Sequence, residues 1–130
     1  MLEVLRAIDR IRSRRRGRFL RRFAARSVNK VYFIPVDHID WIDAADNYLR
    51  LHAGGREHLV RGTISGLLPR LDPEAFIRVN RGLIVSTAAI TAIESGAPAT
   101  YRLTMRDGAR LTTSRSYVNA IRELRKALAG

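Results

Sequence analysis

The apolar positions of the chain follow two different periods. From Leu2 to Ile11 they fall three apart, at Leu2, Leu5, Ile8 and Ile11 with Val4 alongside, and charged residues fill the gaps. That spacing predicts an amphipathic helix with one apolar stripe. The stripe stops at an Arg-rich stretch containing Gly17, a residue that weakens helices, and resumes through Phe19, Leu20 and Phe23. Beyond Arg26 the period shortens to two, and short β-favouring runs alternate with turn residues. The expected strands are Val31 to Ile34, His38 to Asp43, Asn47 to His52, His58 to Arg61, Phe76 to Asn80, Leu83 to Ser86, Ala89 to Ile93, Thr100 to Met105 and Ala109 to Thr113.

Gly54 with Gly55, and Asp107 with Gly108, supply the residues that tight hairpins need, because glycine tolerates positive φ without steric cost. Two helical pieces interrupt this pattern. Near Thr63 to Leu71, Thr63 or Ser65 can cap a short helix whose Ile64, Leu67, Leu68 and Leu71 share a face, and Gly66 and Pro69 keep it short. Near the C-terminus Ser114 or Ser116 precedes Tyr117, Ile121, Leu124 and Leu128 at helical spacing, with Arg122, Arg125 and Lys126 facing outward. The expected organisation is therefore a basic helix or linker over residues 1–26 and a mainly β domain over residues 27–130. Trp41 is expected in the core with Ile34, Ile39, Leu51, Val79 and Ile84.

Composition adds a partner class. The 130 residues carry 24 Lys and Arg against 12 Asp and Glu, a formal charge of +12. Ten arginines against Glu3 and Asp9 put most of that surplus in residues 1–26. An imbalance of this size calls for a polyanion. All the cations but Lys30 and Lys126 are arginines, which suits bidentate contact with phosphate or guanine, although a GC-rich genome produces the same bias. The chain has no cysteine, which removes disulfides, thiolate nucleophiles and Cys-based zinc sites. No apolar run reaches the roughly 18 residues of a membrane-spanning helix, and a cytoplasmic location is expected.

Catalytic patterns find little support. His38, His52 and His58 sit in separate strand-like segments without zinc-site spacing. Gly62 to Gly66 imitates a nucleophile elbow with one glycine misplaced. Asp37, Asp40, Asp43 and Asp46 recur every third residue, which on a strand sends them to different faces. No phosphate loop or dinucleotide fingerprint is present. Neither enzyme activity nor a metal or other cofactor is expected.

What remains is a basic, strand-rich domain with polar residues gathered in three short stretches at strand ends. They are Asp46, Asn47 and Tyr48; Arg78, Asn80 and Arg81; and Ser114, Arg115 and Ser116. Asn can pair with an adenine edge, Arg can fork onto guanine, and Ser or Tyr can hold phosphate oxygens. Structural roles compete with these: Tyr48 as a half-buried strand aromatic, and Arg78 as a cover for apolar surface or a partner of Glu74.

DWIDAADNYLRLH from Asp40, FIRVNRGLIVS from Phe76 and DGARLTTSRSY from Asp107, with VYFIPVDHI in front, together resemble the LytTR family over roughly residues 28–125. The resemblance implies an elongated antiparallel domain of stacked sheets with a short internal helix and a C-terminal helix. It implies sequence-specific binding of double-stranded promoter DNA in bacterial response regulators and freestanding regulators, with loops looking into successive major grooves. Carried over by position, the base-reading residues are Asn47 or Tyr48, Arg81 and Arg115, and the phosphate ligands Arg78, Asn80, Ser114 and Ser116. The chain departs from the family at one loop, where Asn80, Gly82 and Ser86 replace the usual His, Ser and Asn.

Other uses stand beside this one. The basic N-terminal segment could dock a protein or an anionic membrane surface, or pair two copies on adjacent half-sites. RNA binding ranks last, since no paired stacking aromatics are present. The chain is too short to add a receiver domain, so either a sensor or receiver partner is expected to bring the signal or the chain is a fragment of a longer regulator.

Overall fold

The computed structural model describes residues 19–96 and 98–129, so the Leu2, Leu5, Ile8, Ile11 stripe and Gly17 lie outside the described residues. The described chain forms three antiparallel sheets. β1 (Arg22–Ser27) pairs with β2 (Lys30–Pro35). β3 (Trp41–Ala45), β4 (Tyr48–Ala53), β5 (Arg56–Arg61), β6 (Phe76–Asn80) and β7 (Leu83–Ser86) form a central sheet in the order β5-β4-β3-β7-β6. β8 (Ile90–Gly96), β9 (Thr100–Met105) and β10 (Arg110–Thr112) form a third, in the order β10-β9-β8. Helix α1 (Ile64–Leu67) lies between β5 and β6, and α2 (Val118–Ala129) follows β10.

All four residues of β7 are buried. Since alternate side chains of a strand point to opposite faces, the central sheet must be covered on both sides there. Ile84 faces one way with Ile42, Leu49, Leu51 and Phe76, against Phe23, Ala25 and Ile34 of the β1–β2 hairpin and Ile64 and Leu67 of α1. Leu83 and Val85 face the other way with Val79, against Leu103 and Met105 of β9 and Ile121 of α2. Each large aliphatic side chain buried in these two clusters contributes roughly 1.5–3 kcal/mol over its exposed state.

Local chemistry ends the elements where the sequence pattern indicates. Gly54 and Gly55 both take positive φ, 59° and 79°, and close the β4–β5 hairpin with two residues. Gly108 turns β9 into β10 at φ 90°. The Thr63 hydroxyl accepts the Gly66 N–H at 3.0 Å and caps α1. Pro69 then sits in a 3-10 turn over Leu68–Arg70 that ends the helical segment.

Three expectations are corrected. Residues 22–26, assigned to the basic N-terminal piece, belong to β1, because alternating Phe23 and Ala25 are buried against the central sheet. His38, expected to open a strand, instead ends a 3-10 turn over Val36–His38, and β3 starts only at Trp41. Trp41 is partly exposed and packs on the second cluster, apart from Ile34, Ile39, Leu51 and Ile84 of the first. Its ring stacks on His52 at 3.5 Å between centroids, and its Nε1 donates to Asp107 at 2.9 Å.

The acids at every third position divide as strand geometry requires. Asp40 is 1% exposed and accepts from Arg106 Nε at 2.5 Å and from the Gly54 N–H at 3.3 Å. This clamp fastens the β9–β10 turn to the end of the central sheet that carries the Gly54–Gly55 loop. Asp43 accepts from Arg50 and bonds His52 Nε2 at 2.8 Å. The hydrogen bond and charge of Asp43 raise the Arg50 guanidinium above its ordinary range.

Candidate nucleic-acid interface

Strand register decides where the three polar stretches lie. Ala45 pairs with Tyr48, so Asp46 and Asn47 form a two-residue turn, and Asp46 takes φ 58°. Asp43 pairs with Leu83, which puts the Arg81–Gly82 turn beside the β3–β4 turn, and the Ala44 N–H donates to the Gly82 carbonyl at 3.0 Å. The third stretch reaches the same end: the Ser114 N–H donates to the Val79 carbonyl at 2.8 Å, and Asn80 Nδ2 to the Thr112 carbonyl at 3.4 Å. The three stretches therefore share one end of the central sheet, opposite the Asp40–Arg106 clamp.

Their side chains have different occupations. Asn47, Tyr48, Arg81, Arg115 and Ser116 are exposed, whereas Arg78, Asn80 and Ser114 are half-buried. Arg78 donates to the carbonyls of Asn80 and Arg81, the latter at 2.5 Å, and lies 5.2 Å from the Tyr117 ring. These contacts, rather than the alternative pairing with Glu74, occupy its guanidinium. Asn80 accepts the Gly82 N–H at 3.0 Å while its amide nitrogen holds Thr112, so both ends of the side chain brace neighbouring segments. Gly82, where the family has serine, lies against Ala44, whose Cβ is 3.6 Å from the place a Cβ would occupy. Ser114 gives no side-chain cap to the 3-10 turn Arg115–Tyr117 that follows it. Among the described residues Arg81 and Arg115 have no ion pair, which leaves both guanidiniums available to an anion.

Arg61 belongs to this rim and was not among the expected residues. The two-residue Gly54–Gly55 loop pairs Ala53 with Arg56, and the same register sets Tyr48 opposite Arg61. Its guanidinium lies 5.9 Å from the Tyr48 ring. Counting back from the glycines would have found it. Beside the third stretch, Tyr101 adds a second cationic neighbourhood. Hydrogen bonding from Arg122, against the opposing effect of burial and with further help from Arg125, lowers its phenol below the ordinary 10.0.

The rim thus combines unpaired guanidiniums, an amide and hydroxyls on adjoining turns, the donor set that nucleic acid requires. A family model for the LytTr DNA-binding domain matches residues 29–126. The chain belongs to the LytTr family. The LytTr domain is a DNA-binding module of transcription regulators, and relatives of this chain include response regulators. One relative is the sensory transduction protein LytT of Bacillus subtilis, 26% identical over 94 residues that make up 72% of this chain and 39% of that protein. Another is an uncharacterized response regulatory protein of Vibrio cholerae, 29% identical over 68 residues, 49% of this chain and 26% of that protein. The chain therefore spans about two fifths or less of the relatives it matches. A solved structure described as the LytTr DNA-binding domain of a Bacillus cereus response regulator shares the fold, with TM-score 0.73 at 23% identity over 81% of this chain and 96% of that one. Among the described residues no helix of this LytTr domain is long and apolar enough to cross a membrane.

Proposed function

We propose that this LytTr domain binds double-stranded promoter DNA sequence-specifically and controls transcription by reading major grooves through its loops. The observation that carries the reading is the meeting of three polar turns at one end of the central sheet, with Arg81 and Arg115 exposed and unpaired among the described residues. In this reading Arg81 and Arg115 fork onto base edges, Asn47 or Tyr48 reads from the first turn, and Ser114 and Ser116 hold phosphates. Arg78 and Asn80 act from behind, shaping the Arg81–Gly82 turn, although the amide of Asn80 can still face a phosphate. Such a partner requires a cytoplasmic protein. The greater length of the relatives favours a signal arriving from a receiver or sensor, in the same or another chain. Pairing of two copies on adjacent half-sites would multiply affinity.

Selection of bound duplexes from a random pool, followed by titration at several salt concentrations, tests this function. The expected outcome is one enriched motif, with log affinity falling by about 0.9 per unit log salt for each phosphate neutralised. Equal affinity for every sequence would refute sequence reading. Loss of binding only when the basic N-terminal segment is removed would move recognition to that segment.

A further inference from the structure

The three-stranded sheet ends beside the third polar stretch. Ser95 of β8 pairs with Tyr101 of β9, and Tyr101 in turn exchanges two hydrogen bonds with Thr113. The Tyr101 N–H donates to the Thr113 hydroxyl and the Thr113 N–H to the Tyr101 carbonyl, both at 3.0 Å. Thr113 is buried and directly precedes Ser114, so these bonds fasten the start of β9 to the third stretch of the rim. From Thr113 to Arg115 the chain extends at most about 7 Å, the rise of about two base steps of duplex.

Helix α2 brings two cations to Tyr101. Arg122 and Arg125 are three residues apart and so share a face of the helix. The Arg125 guanidinium lies 5.8 Å from the Tyr101 ring centroid and donates to Ser95 Oγ at 3.4 Å. Arg122 hydrogen-bonds the Tyr101 hydroxyl, the main reason that this phenol is held below its ordinary range. Ser95 and both arginines are exposed, and among the described residues neither arginine has an ion pair. The neighbouring acids do not fill that role: Glu123 lies 3.8 Å from Lys126, and Glu94 takes the face of β8 opposite to Ser95. A neutral phenol cannot balance two guanidinium charges that converge on it, so the group lacks an anion. Two forked donors beside two hydroxyls match the several acceptor oxygens of a phosphate.

We propose that Arg122, Arg125, Ser95 and the Tyr101 hydroxyl hold a phosphate group, and that the DNA backbone beyond the base read by Arg115 supplies it. The source of the phosphate rests on the DNA reading above; the site does not. The first arm of the test therefore contains no DNA. Inorganic phosphate is titrated into the full chain labelled in its tyrosine rings, with chloride at matched ionic strength as the control. The Tyr101 signals, identified by their loss in Tyr101→Phe, shift saturably with phosphate alone, and the double variant Arg122→Gln/Arg125→Gln loses that shift. No saturable shift at millimolar phosphate, or an equal one in the double variant, overturns the site.

The second arm replaces single phosphates of the selected duplex with uncharged methylphosphonates. One replacement on the Arg115 side of the site lowers wild-type affinity about tenfold, and the double variant is indifferent to it. Because phosphate contacts carry no sequence information, the double variant weakens selected and scrambled duplexes alike and reduces the salt slope by about 0.9. If every replacement costs the double variant as much as the wild type, the DNA source is overturned and a site for free phosphate is left. If no duplex is bound at all, the DNA reading and the DNA source fail together, and the first arm still decides the site.

Discussion

Replacing Arg106 by Ala removes the cation from a carboxylate that is almost completely buried. Asp40 would keep one weak partner, the Gly54 N–H at 3.3 Å, in place of the Arg106 bond at 2.5 Å. Deleting one member of a fully buried pair costs about 3–5 kcal/mol. The Arg106 side chain is 47% exposed, so water can replace part of what is lost, and the expected cost falls to about 2 kcal/mol. For a domain of about a hundred residues that lowers the melting temperature by about 10 °C. Thermal denaturation followed by circular dichroism measures it. Adding Asp40→Asn to the same variant should recover about half of the loss, because an amide leaves no stranded charge. Affinity for DNA well below the transition should stay at the wild-type value, since the clamp lies at the far end of the central sheet. A melting point within about 2 °C of wild type would refute the assignment of Asp40–Arg106 as a stabilising clamp.

Three further outcomes follow from particular contacts. Tyr101 should ionise below its ordinary 10.0 in an ultraviolet titration, and Arg122→Ala should move that step upward. A depressed phenol favours the folded state above the unfolded value, so this contribution grows with pH through about 10 and is absent at neutrality. Gly62→Ala should destabilise by roughly 1–3 kcal/mol in urea denaturation, because a side chain there is strained by φ 155° and meets Leu49. Thr63→Ala should cost about 1 kcal/mol in the same assay by leaving the Gly66 N–H uncapped.

The strands of the central sheet were legible because period-two alternation is strong where one face or both are buried, as in Leu83, Ile84 and Val85. β1 was hidden by its composition: Arg22 and Arg26 flank Phe23 and Ala25, so four charged or small residues mask a two-residue buried stripe. His38 reads as strand by residue type, yet it closes the 3-10 turn that follows Pro35, and the backbone is extended again from Ile39. Trp41 was misplaced because its strand parity, opposite to that of Ile42, points it to the second cluster. The candidate site was legible as three stretches, and their meeting was not, since it depends on how β3 pairs with β7 across forty residues of sequence. Asn80 shows a different limit: its residue type suits a phosphate, but in the folded chain Gly82 and Thr112 already engage it. Arg61 was within reach of the sequence, through the register that the paired glycines impose.

The most direct test of the central claim is a base-by-base titration. Affinities of the wild type, Arg81→Ala and Arg115→Ala would be measured for every single base-pair variant of the selected site. Each substitution should flatten preference at its own position, at a cost of about 1–3 kcal/mol on the cognate site and little on scrambled DNA. Equal losses on selected and scrambled duplexes, or no loss from either substitution, would contradict the claim.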